Sequence, residues 1–321
     1  MLRKSLLAAA IATMAVSAPA HAHRAWLLPS ITVLSDLTQM VTVDAGASTD
    51  PFVSDHAPMN VDGIQVWAPD GSMGKIENVG KGRYRTTFDV AIDKPGTWRI
   101  GMASSSVMGS FKVNGEDWMV GGRRRGPGGP GAGGAGAGGP GAGANAAGRP
   151  MGATPPAGGE GPGEGGPRRM IDPSHMVASV DDIPAGATDL NLTQMDNRNE
   201  FFVTAGEPTD TLFKPTGKGL EMVPITPPTD LVANEPGKFR FLVDGKPAPD
   251  LKVTVIPGGQ RYREADHAQE LTTDRDGVLT VAWPVAGFYW VNASLADDKP
   301  SVAKASKRRM SYTVTLEVVA P

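Results

Sequence analysis

Five histidines and no cysteine are present in this 321-residue chain, so any transition-metal chemistry must run through nitrogen and oxygen donors, helped at most by methionine. Three of the histidines stand where that chemistry could be built: His21 and His23 in Ala20-His21-Ala22-His23, and His56 in Asp55-His56-Ala57-Pro58-Met59. A histidine at a free amino terminus offers the α-amine and an imidazole nitrogen on one residue. This bidentate nitrogen chelate suits Cu(II) or Ni(II). The amine must first lose a proton, which its pKa near about 8 allows when a metal competes.

The start of the chain is built to expose such a terminus. Arg3 and Lys4 precede an apolar run from Leu6 to Val16, and small residues follow at Ala18, Ala20 and Ala22. This is the anatomy of a secretory signal peptide over residues 1–22, with an apolar core too short to span a bilayer. Cleavage after Ala20 would free His21-Ala22-His23, and cleavage after Ala22 would free His23. In the second case another histidine must complete the site. His56 is the best candidate, with a carboxylate beside it to orient the ring and a thioether three residues on. A histidine behind a leader can equally be a solvated chain end, and His56 an ordinary loop residue. His175 and His267 read as solvated loop histidines.

Composition narrows the alternatives. Without cysteine there are no disulfides, thiolate zinc sites, iron–sulfur clusters or thiol nucleophiles. The formal charge is -3, and it becomes more negative once Arg3 and Lys4 leave with the leader, so nucleic acid is not an expected partner. No later stretch is long and apolar enough for a membrane helix, and the expected location is the periplasm. There is no G-x-S-x-G elbow, P-loop or H-E-x-x-H motif. Gly258-Gly259 reads as a turn ending a strand.

The elements that must position these histidines are strands. Short alternating runs at 40–43, 64–67, 84–88, 97–100 and 111–113 are separated by turns such as Pro69-Asp70-Gly71 and Lys94-Pro95-Gly96. Residues 121–170 then hold 21 of the 41 glycines and eight prolines, which predicts a disordered linker flanked by Arg123-Arg124-Arg125 and Arg168-Arg169. The pattern resumes at 200–204, 238–243, 251–256, 278–283, 287–293 and 312–318. The expected fold is all-β, with two immunoglobulin-like or transthyretin-like antiparallel β-sandwich domains joined through the Gly/Pro-rich segment. Residues 23–120 form the first sandwich, 171–228 supply strands and a connection completing it, and 229–321 form the second.

Several segments together resemble the periplasmic domain-of-unknown-function family 4198. They are Ala22-His23 with Trp26-Leu27 and Pro29; the stretch from Val41 to Ala45; Asp55-His56 with Pro58; Lys214-Pro215-Thr216-Gly217-Lys218-Gly219-Leu220-Glu221; Val255-Ile256-Pro257-Gly258-Gly259; Trp283-Pro284 with Tyr289-Trp290; and Arg308-Arg309 with Ser311-Tyr312. The resemblance implies a periplasmic accessory protein of nickel, cobalt or metal-chelate uptake, with a TonB-dependent receptor or inner-membrane transporter as partner.

Three readings follow. The first is a non-catalytic metal-uptake accessory protein that binds copper or nickel through His23, with His56 or His21. The second is a protein-interaction sandwich that docks on an outer-membrane receptor. The third is a copper enzyme whose N-terminal His brace resembles that of lytic polysaccharide monooxygenases.

Overall fold

The computed structural model describes residues 23–121 and 172–321. Residues 1–22, the expected leader with His21, and the Gly/Pro-rich segment from residue 122 on lie outside the described residues. Everything described is strand, turn and short 3-10 helix, and each expected run overlaps a strand, although ends such as 84–85 and 282–283 lie outside theirs. Alternation accounts for this: in Gln39–Ser48, Val41, Val43 and Ala45 point inward while Met40 and Thr42 face solvent. Hairpins close where left-handed residues permit. Asn114 and Gly115 join Gly96–Val113 to Glu116–Val120, and Asp244 and Gly245 turn Gly237–Val243 back onto Lys246–Pro247, all four residues at positive φ.

Two strands carry the architecture. Gly96–Val113 and Thr188–Ala205, 18 residues each, pair antiparallel from Thr97↔Thr204 out to Thr188↔Lys112. Thr188–Ala205 then pairs in parallel with Lys307–Val318, from Thr193↔Lys307 to Phe201↔Thr315. Lys307–Val318 continues antiparallel into Gly287–Asp297, and beyond it into Lys252–Pro257 and Gln269–Thr272. One sheet therefore runs through both halves of the molecule.

The two sandwiches use opposite faces of that sheet. On one face Trp98, Ile100, Phe201 and Val203 pack with Leu27, Val41, Val43, Phe88 and Val90 of a smaller sheet built from Arg24–Pro29, Gln39–Ser48, Thr86–Ile92 and Ile76–Lys81. On the other face Phe202, Tyr312, Val314 and Leu316 meet Phe239, Phe241, Leu279 and Met222 from the sheet of Leu220–Pro224, Gly237–Val243 and Val278–Val281. Period-two alternation makes this possible: Phe201 and Phe202 are neighbours in sequence but belong to different cores. Residues 171–228 thus divide, with Thr188–Ala205 in the common sheet and Leu220–Pro224 in the C-terminal sandwich.

The common sheet also carries buried charge. Tyr312 donates to Glu200 Oε1 at 2.6 Å with both residues buried, and burial together with the Glu200 charge holds the phenol well above its ordinary pKa. Gly101 faces Glu200 across the ladder. A Cβ at Gly101 would lie 2.4 Å from Glu200 Cβ, so the close approach of these two strands requires glycine.

Candidate metal site

The first described strand is held in place on three sides. Trp26 is almost fully buried, and its indole Nε1 donates to Ser48 Oγ at 2.7 Å. It lies flat against Gly46, where a Cβ would come within 2.7 Å of the ring. With Ile256 and Trp290 it forms an apolar cluster, against which Leu28 and Phe52 pack. Trp290 Nε1 donates to the Ala25 carbonyl at 3.0 Å, which ties the strand to the common sheet. Arg24 completes the anchor: its guanidinium sits 5.7 Å from the Trp290 ring centroid and donates to the Thr49 carbonyl at 2.9 Å.

His23 is therefore the residue just ahead of a fixed strand. The loop after Ser48 returns to the same place. Phe52, at φ 65, turns the chain and sets its ring edge-on to Trp26 at 6.0 Å. Ala57 and Pro58 then pair back against Ala47 and Gly46. This brings His56 onto His23, with ring centroids 3.4 Å apart and planes 11° from parallel. Both residues are exposed.

The sequence candidates thus separate. His23 and His56 are together, and His21 lies outside the described residues. Met59 packs against the N-terminal core. His175 stacks on Trp118 at 4.8 Å with Glu116 3.7 Å away, and His267 sits in an exposed turn; neither joins the pair. Among the described residues no group of three or more His, Asp or Glu is placed to hold a metal. The pair supplies two nitrogen donors. For both rings to reach one ion they must open from face-to-face stacking until a nitrogen of each converges, a motion available to His23 ahead of its strand.

The supporting side chains were not readable as such. Trp290 lies 265 residues from the carbonyl it binds, and no local pattern marks that contact. Trp26 and Trp290 stood out only as parts of the segments that carry the family resemblance.

A family profile described as a domain of unknown function, DUF4198, matches residues 20–297. The chain belongs to the DUF4198 family. The match spans both sandwiches and includes His23 and His56. No curated protein matches this DUF4198 chain at a significant level. Among solved structures it is similar to the D0-D1 domain of intimin, at 12% identity over 91% of this chain and 97% of the other, with a TM-score of 0.18. The β-sandwich architecture therefore rests on the strand topology described above.

Proposed function

We propose that this protein is a periplasmic accessory protein that binds a divalent transition metal, Cu(II) or Ni(II), at its mature amino terminus for metal or metal-chelate uptake. The observation that carries the reading is the stacking of His56 on His23. With the leader removed after Ala22, the α-amine and imidazole of His23 would form the chelate and His56 would add a third nitrogen. Three nitrogens of this kind suit the tetragonal preference of Cu(II) and Ni(II). Arg24, Trp26 and Trp290 would hold the strand behind the terminus, so that the metal need reorient only the His23 and His56 rings.

The test begins with the intact mass of the secreted protein, which fixes the first residue. Copper and nickel titrations follow on that material, on a form with one extra N-terminal alanine, and on His56→Ala. The extra alanine separates the amine from the His23 ring and should weaken binding by at least about tenfold, or about 1.4 kcal/mol. His56→Ala should also weaken it, to a smaller degree. Millimolar affinity in the secreted protein, or equal affinity in all three forms, would refute the reading and leave the receptor-docking sandwich as the account to pursue.

A further inference from the structure

On the face of the common sheet used by the C-terminal sandwich, the long strands run on past the covering sheet and leave a cleft of about 670 Å³. Its lining includes Ser105, Asp196, Arg198, Lys218 and Arg308, drawn from both halves of the molecule. The volume lies within the range of roughly 300–1,000 Å³ typical of small-ligand pockets.

The walls are fixed by buried polar groups. Gln194 accepts from the backbone N–H groups of Ser301 and Val302, and its amide donates to Asp196. Glu221 accepts from Thr216 N–H, Thr216 Oγ1 and Gly217 N–H, and also from Arg198 at 3.2 Å. Burial pushes the Glu221 carboxyl up, but these bonds and the Arg198 charge outweigh it and leave its pKa below the ordinary value. Asp244 holds Gly219 N–H and, with Asp297, receives the Arg308 guanidinium.

Of the four charged side chains that line the cleft, two have no ion pair with a described residue. Arg308 pairs with both Asp244 and Asp297, and Arg198 with Glu221. Asp196 accepts only neutral donors, Ser105 Oγ and Gln194 Nε2. Lys218 is exposed and makes no hydrogen bond or ion pair with any described residue. The two are not within the 4.0 Å of an ion pair with each other. The cleft thus presents one carboxylate and one ammonium, neither in an ion pair with a described residue. Among the described residues no aromatic side chain lines it, so they offer no flat apolar surface on which a base would stack.

We propose that this cleft binds a short zwitterionic peptide, with the ligand's carboxylate at Lys218 and its ammonium at Asp196. The proposal is independent of the histidine pair. It is tested on the full secreted protein with chelator present, so that no metal at His23 can recruit the peptide. Calorimetry with trialanine is compared with N-acetyl-trialanine and trialanine amide. Free trialanine should bind saturably and each blocked form at least about tenfold more weakly. Lys218→Met should bind free and amidated peptide alike, and Asp196→Asn should bind free and acetylated peptide alike. Lys218 has no described partner, so its replacement leaves the fold intact even if Asp196→Asn does not. Absence of saturable binding, equal binding of the blocked peptides, or a Lys218→Met variant that still discriminates against the amide would each overturn the proposal.

Discussion

Replacing Arg308 with methionine tests whether charge helps hold the two sheets of the C-terminal sandwich together. The guanidinium is 4% exposed and makes four charge-assisted hydrogen bonds of 2.7–3.0 Å, two to Asp244 and two to Asp297. Removing one partner of a buried ion pair costs about 3–5 kcal/mol because the other charge is left unpaired. Here the Asp244 side chain is 44% exposed, so water compensates most of its loss, whereas Asp297 at 21% is less well served. Discounting the Asp244 half leaves about 2–3 kcal/mol, which corresponds to a midpoint lowered by roughly 4–12 °C. Arg308 holds both carboxyls below their ordinary pKa of 3.8, chiefly through its hydrogen bonds. A depressed carboxylate contributes stability that is present above the ordinary value and lost as pH falls through the folded one. The gap between wild type and Arg308→Met should therefore be full near neutral pH and narrow as pH drops below 3.8. Urea unfolding of both proteins across that range reads it directly. A gap that stays constant with pH, or one below about 0.5 kcal/mol at neutrality, would show that Arg308 acts through packing and not through its ion pairs.

Gly101→Ala should destabilise severely, by about 3 kcal/mol or more, because the new methyl meets Glu200 Cβ at 2.4 Å and the Asn199 carbonyl at 2.5 Å within the longest ladder; thermal unfolding beside a Gly186→Ala control, where nothing lies within 4 Å and φ is not positive, checks it. Trp26→Ala should cost about 3–5 kcal/mol and should also weaken copper binding at the amino terminus. Both are measured on the same preparation by unfolding and titration.

Apolar alternation made the cores of both sandwiches legible, but it stopped where the strands became polar. Residues 97–100 and 111–113 read as two strands, yet they belong to one, Gly96–Val113. Between them Ala103, Ser104, Ser105 and Ser106 carry no apolar alternation, and their partners Arg198, Asn197, Asp196 and Met195 are equally uninformative. These stretches are strands because each supplies the other's backbone partners, a non-local cause that no local window contains. The histidine pair divides in the same way. Position after the expected leader marked His23 as a candidate, and the carboxylate and thioether near it marked His56. Their meeting depends on Phe52 turning a loop and on Trp290 gripping a strand from the other end of the chain.

A sheet with a different core on each face also sets an order of assembly. Lys307–Val318, near the end of the chain, stands in the middle of that sheet, between Thr188–Ala205 and Gly287–Asp297. A nascent chain that has not yet released this strand has no partner for the parallel edge of Thr188–Ala205 and no Tyr312 hydroxyl for buried Glu200. The common sheet must therefore remain open along that edge until Lys307–Val318 has been synthesised. During that interval an unpaired edge flanked by apolar side chains is available to other chains. A chaperone that covers strand edges would have a defined place to act during that interval.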